Sequence, residues 1–285
     1  MKKYFFVLLL SIFFGIAEAQ RNEIGITVGG SYYLGDINPS GQFVQTKPAA
    51  GLVYRYVFNP RWALKFDGIY GTVEGSDAES KFDEKRNLSF KSYITEVSTQ
   101  LELNFLPYIT GDKDAYVTPY IFAGLSLFSF NPKAEYEGTW YDLQPLGTEG
   151  QGTSKYYDRK PYSLTKLAFP FGLGFKYSIG KVFCVGAEWG MRKTTTDYLD
   201  DISTTYADPT VLAAENTPIA ALLADRTITE TGQTEDHTDL QRGNSSTKDW
   251  YSYAGIILTV KFKTGGSKSC PAYNQHNKHS GFNKD

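Results

Sequence analysis

Charged side chains stand at alternate positions inside stretches that are otherwise apolar or small: Arg55, Lys65 with Asp67, Glu96 and Glu102, Lys176, and Glu188 with Arg192. Glu23, Lys166 and Lys261 hold the same side of their own stretches. Such groups are capable of acid–base or ligand chemistry. Set in a confined space with opposite signs intermixed, however, their simplest chemistry is to pair, because a buried charge left single is costly. The expectation is a structural ion network that plugs whatever encloses it, with no solute channel.

A second acidic group, Asp197, Asp200 and Asp201 with Tyr198 and Tyr206, offers the oxygen donors that calcium takes. Its spacing fits no calcium loop, and no Gly stands where a tight ligand turn would need one. Turn and capping hydrogen bonds are the reading, and no metal is expected. Gly172 and Gly174 lack the following helix that a phosphate loop requires. His237 lies in a long connection and His276 and His279 in the C-terminal tail, so no His stands on a strand near a Ser nucleophile. Neither enzymatic activity nor a cofactor is expected.

The elements that would position these charges are strands. Residues 23–33 read E-I-G-I-T-V-G-G-S-Y-Y, with Ile24, Ile26, Val28, Gly30 and Tyr32 on one face and Glu23, Gly25, Thr27, Gly29 and Ser31 on the other. Period-two alternation is the mark of a pleated backbone, whose successive side chains leave on opposite sides. The pattern returns at 49–58, from Trp62 to Tyr70, at 92–105, at 116–130, at 166–177, at 183–192 and at 253–262. In each case an apolar set (Leu52, Phe66, Leu101, Leu125, Phe171, Val185 and Leu258 among them) opposes small, polar or charged residues. A charged loop is read at 74–86.

Eight such strands make an all-β, antiparallel up-and-down transmembrane barrel, oily outside and polar within. A barrel of this size has an interior just wide enough to be filled by side chains. Connections alternate short and long, the longest at about 131–163 and 194–248. Short turns then face the periplasm and long loops the exterior, with both termini periplasmic in a cell outer membrane. Residues 208–226 carry apolar clusters that read as short helices broken at Pro218. Trp62, Tyr93, Trp140, Trp189 and Trp250 read as interfacial girdle residues.

Bulk composition fits. Aromatics make up 15% of the chain while mean hydropathy is −0.35, as expected where an apolar wall is diluted by a polar lining. A net charge of −2 argues against nucleic acid as a partner. Lys2 and Lys3, the apolar run 4–16 and the small-x-small Ala17-Glu18-Ala19 read as a signal peptide over residues 1–19, leaving a barrel over 20–263 and a polar, flexible periplasmic tail over 264–285. Cys184 falls low on the seventh strand and Cys270 in the tail. They could pair with each other across the rim, Cys270 could pair with a partner subunit, or both could be free thiols.

Several longer strings stand out: T-P-Y-I-F-A-G-L-S-L-F-S-F-N-P-K-A at 118–134, W-Y-D-L-Q-P-L-G-T-E-G-Q-G at 140–152, P-F-G-L-G-F-K-Y at 170–177, T-D-Y-L-D-D-I-S-T-T-Y at 196–206, R-G-N from Arg242 and D-W-Y from Asp249. Together they resemble the PorG-like outer-membrane barrels of the Bacteroidetes type IX secretion system. That resemblance implies a non-enzymatic accessory of protein export that anchors or contacts a periplasmic ring of PorK-like lipoprotein and PorN-like protein, with membrane lipids as its surroundings. The alternative is a small surface barrel that binds an external ligand or partner through its long loops.

Overall fold

A computed structural model describes residues 21–227 and 235–263. The expected signal peptide and tail, with Cys270, His276 and His279, lie outside the described residues. Eight strands close on themselves: β1 (Arg21–Leu34), β2 (Lys47–Val57), β3 (Trp62–Ser76), β4 (Ser89–Asn104), β5 (Val117–Ser129), β8 (Thr165–Ile179), β9 (Phe183–Thr194) and β10 (Trp250–Lys263). Every neighbouring pair is antiparallel, β1 pairs with both β2 and β10, and β3 pairs with β4 to complete the ring. Closure satisfies all ladder hydrogen bonds and leaves the barrel no edge.

The alternation of the sequence becomes the two faces of the wall. Ile24, Ile26, Val28, Leu52, Val97, Leu125, Leu173 and Ile256 are exposed on the outside. Glu23, Arg55, Lys65, Gln100, Glu102, Lys176 and Arg192 are buried inside. Large inward rings fit because glycines oppose them. A Cβ added to Gly174 would lie 2.4 Å from the Tyr120 ring, and one added to Gly190 would lie 2.5 Å from that of Phe122.

Three expectations are corrected. The segment read as a charged loop from Glu74 begins as strand: β3 continues to Ser76, where Glu74 bridges Lys47 at 2.6 Å and Lys91 at 3.3 Å, before the one-turn helix α1 (Asp77–Ser80). The connection 131–163 contains a hairpin, β6 (Pro132–Tyr136) and β7 (Thr139–Asp142), attached to β4 through Lys91 and Ser92. Tyr32 keeps its outward parity yet is fully buried, because the β1–β2 loop folds down and sets the tilted Phe43 ring against it at 4.9 Å between centroids. The long loop after β9 forms α2 (Pro209–Val211), a π-helical turn (Leu212–Asn216) and α3 (Pro218–Ala224). Pro218 opens α3 behind the cap Thr217, where a missing N–H costs nothing.

At the end that carries the long loops, the interior changes from polar to apolar. Phe90, Ile94, Phe128, Phe130, Tyr33 and Tyr251 join Leu199, Ile202, Leu223 and Tyr162 from the loops in one core. The loops therefore form a folded head that sits in the barrel mouth.

Candidate functional site

The lumen and the head each gather polar groups. In the lumen, Arg55 donates from Nη1 to Glu23 Oε2 at 2.6 Å and from Nε to Glu102 Oε2 at 2.8 Å. Lys176 Nζ reaches the same Glu102 oxygen at 2.5 Å and Asn104 Oδ1 at 3.1 Å. Further along, Lys65 Nζ lies 2.5 Å from Glu188 Oε2 and 3.4 Å from Asp67 Oδ2. Tyr120 donates its hydroxyl to Glu188 at 2.8 Å, and Asp67 accepts from Ser98 and, at 2.9 Å, from Gln100. Arg192 Nε meets Glu96 Oε2 at 3.2 Å, an oxygen that also accepts from the Tyr251 hydroxyl at 2.5 Å. Arg55, Lys65, Asp67, Glu96, Glu102, Lys176, Glu188 and Arg192 thus form one buried column. Lys166 stands apart from it, half-buried near the long-loop end of β8.

The short-turn end is closed by the β4–β5 turn, which folds inward. Tyr108 and Thr110 are buried there. Thr110 donates its hydroxyl to Glu23 and accepts at its carbonyl from Lys261, and Gly111 N–H donates to Ser178 Oγ at 2.7 Å. Cys184 is buried beside this turn, in contact with the Tyr108 hydroxyl. Its pairing with Cys270 lies outside the described residues.

The head is organised around Glu149, a residue the charge pattern did not single out. Its carboxylate accepts from Ser203 N at 2.9 Å, Thr204 N at 3.1 Å, Thr204 Oγ1 at 2.7 Å, Tyr198 at 3.3 Å and Arg242 Nη1 at 3.1 Å. Gly150, with φ of +87°, makes the turn that directs this side chain inward, and its conformation suits glycine. Arg242 also donates to the carbonyls of Asp201 at 2.6 Å and Ala224 at 3.0 Å. Arg86 pairs with Asp77 at 2.7 Å and 2.9 Å and ties in the carbonyls of Asp36 and Arg242. Three of the unusual strings therefore converge: Glu149 from the first long loop, Asp201, Ser203 and Thr204 from the second, and Arg242. Those strings were the only signal in the sequence for this centre.

The three aspartates taken together as oxygen donors are not brought to one point. Asp197 accepts from Ser203 Oγ at 2.6 Å. Asp200 accepts from the Tyr33 hydroxyl at 2.5 Å and from Ile202 N at 2.9 Å. Asp201 accepts from Thr148 and, at 2.6 Å, from Tyr162. Among the described residues no group of three His, Cys, Asp or Glu side chains is arranged to hold a metal ion. Burial raises Asp201 to about 6 against the opposing pull of Arg242, and raises Asp197 to about 7. Asp249 is pushed well above the carboxylate range by burial and by the neighbouring Asp200.

The aromatic residues expected at a girdle divide. Trp62 and Tyr93 are exposed on the outer wall near opposite ends of the barrel. Trp250 lies against Phe171 at the long-loop rim. Trp140 is on the β6–β7 hairpin, and Trp189 is half-buried, its indole N–H donating to Tyr32 at 3.0 Å.

Among solved structures the chain is similar to the attachment invasion locus protein Ail of Yersinia pestis, at 11% identity over 86% of this chain and 100% of that one, with a TM-score of 0.40. Neisserial surface protein A matches at 11% identity, 86% and 98% coverage and a TM-score of 0.38. OprG of Pseudomonas aeruginosa matches at 11% identity, 86% and 97% coverage and a TM-score of 0.38. The comparison with curated proteins finds no match. The profile of the family described as "Domain of unknown function (DUF6089)" covers residues 2–217, and the chain belongs to that family.

Proposed function

We propose that this chain is a non-enzymatic outer-membrane barrel, exported by its signal peptide, with short turns and both termini in the periplasm and the folded head outside the cell. The support is physical. The outward-facing residues of β4, from Tyr93 to Leu103, occupy roughly 33 Å of strand, or about 25 Å across a membrane at the usual tilt. A closed barrel also meets the demand that no backbone polar group face lipid unpaired.

Within that setting the role is attachment: an outer-membrane anchor of the type IX secretion system that contacts a PorK-like and PorN-like periplasmic ring. The strings that resemble PorG-like barrels support the assignment. The structural observation that carries it is the filled lumen, which leaves no room for cargo and makes anchoring the reasonable task. The test is crosslinking in native membranes followed by affinity purification of the full chain. Ring proteins as the main partners are expected; their absence would overturn the assignment.

A second reading, an external binding barrel, draws on the head. The described residues of the connections 131–163 and 194–248 pack on a shared core around Glu149 and Arg242, more order than a passive loop needs. Recovery of an external partner in place of ring proteins would favour it.

A further inference from the structure

A groove of about 720 Å³ opens on the side of the head, where three loops meet the outer wall of the barrel. Its lower wall is Met191 and Trp250. Met191 is level with Phe171, and Trp250 is level with Lys193, which is in turn level with Phe169. Phe171 and Phe169 are exposed on the outer wall, so the groove's floor continues the apolar band. Its upper wall is of another kind. It carries Lys248, Asn244, Thr247 and Asp83, beside Phe82, which is 63% exposed.

We propose that this groove seats the head group of an outer-leaflet lipid, one with an anionic, hydroxyl-rich head such as a phosphorylated sugar. The inference rests on the barrel being membrane-embedded with its head outside. Three observations select the occupant. The groove joins a lipid-facing floor to a polar roof, so it fits a molecule that is apolar at one end and polar at the other. Its volume is in the range of small-molecule sites and far exceeds that of a lone phosphate.

Its charges are of both signs: Lys248 on the roof, with Lys193 beside Trp250 just outside the lining, can meet a phosphate, and Asp36 and Asp83 can meet hydroxyls. Arg86 and Arg242 are balanced by Asp77 and Glu149. Among the described residues neither Lys193 nor Lys248 makes a salt bridge. Lys193 Nζ lies 5.5 Å from the Trp250 ring centroid, and Lys248 Nζ reaches only the Ser245 carbonyl at 3.4 Å. Asp36 and Asp83 each spend one carboxylate oxygen on a backbone N–H, from Asn244 and Arg86 respectively, which leaves acceptor capacity for hydroxyls.

The test uses the full chain folded in detergent and titrated by native mass spectrometry with lipid A, an acylated, diphosphorylated glucosamine disaccharide. Saturable one-to-one binding is expected, weakened about fivefold by Lys193→Ala or by Lys248→Ala, since a basic residue near an anionic lipid surface contributes about that factor. Lys133→Ala, on the distant hairpin, should leave binding unchanged. Equal binding by wild type and both rim variants would overturn the proposal. So would equal binding of the deacylated phosphodisaccharide, which would mark a soluble-ligand site, or of phosphatidylethanolamine. Insertion into vesicles is scored separately. A chain that inserts but shows no lysine-dependent binding refutes only this inference, whereas a chain that never inserts refutes the membrane reading as well.

Discussion

Glu102 is the residue on which the lumen depends most. One of its oxygens receives Arg55 at 2.8 Å and Lys176 at 2.5 Å, and none of the three side chains is more than 2% exposed. Glu102→Gln keeps the shape and removes the charge. Arg55 retains Glu23, but Lys176 is left with the neutral Asn104. Removing one partner of a buried pair costs about 3–5 kcal/mol, against about 0–1 kcal/mol for a pair open to water. With a urea dependence of about 2 kcal/mol per molar, the unfolding midpoint should fall by roughly 2 M. The double change Glu102→Gln with Lys176→Met should recover most of that loss, since no uncompensated charge then remains. The assay is urea unfolding of the refolded barrel, read by tryptophan fluorescence and by the gel shift between folded and heated protein. A midpoint change under about 0.5 M for Glu102→Gln would refute the reasoning, because it would mean that water reaches Lys176.

Three other outcomes are expected. Arg86→Ala should leave the barrel's gel shift intact while opening the segment from α1 to β4 to protease, because Asp77 is buried and loses both guanidinium contacts. Gly174→Val should prevent the gel shift, since its side chain meets the Tyr120 ring, and Tyr120→Ala in the same chain should restore part of it. Head stability should rise as pH falls from about 8 to about 5. Asp197, held near 7, and Asp201, held near 6, keep their protons to higher pH folded than unfolded, so the fold gains as each takes up its proton. His237, raised by its hydrogen bond to Asp225, acts in the same sense. Hydrogen exchange of the head across that range measures the slope, which Asp197→Asn should flatten.

The barrel was legible because a strand's side-chain period is two and one face had to be apolar. Glu96, Gln100 and Glu102 against Val97 and Leu101 fix both strand and register without any tertiary knowledge. The head was not legible, because its core draws scattered residues from four loops. Ile37, Leu88, Leu143 and Leu199 share no spacing that a periodicity could reveal. The burial of Tyr32 depends on where the β1–β2 loop falls, and no local rule sets that. The acidic residues of 196–206 were readable as turn formers, as Asp200 to Ile202 N illustrates, but the distant partners Tyr33 and Tyr162 come from the fold. Glu149 lies among Gly and Thr, where a lone carboxylate gives no sign of being a hub.

The most direct test of a sealed barrel in a membrane is a spin-label scan of β4. Labels at Val97, Ser98, Thr99 and Leu101 would be placed in a Cys184→Ser, Cys270→Ser background reconstituted in bilayers. Relaxation by oxygen should be strong at 97, 99 and 101, and the water-soluble nickel reagent should reach none of the four positions. Nickel access at 98 would show an open aqueous lumen, and loss of the alternation would contradict the barrel's placement in lipid.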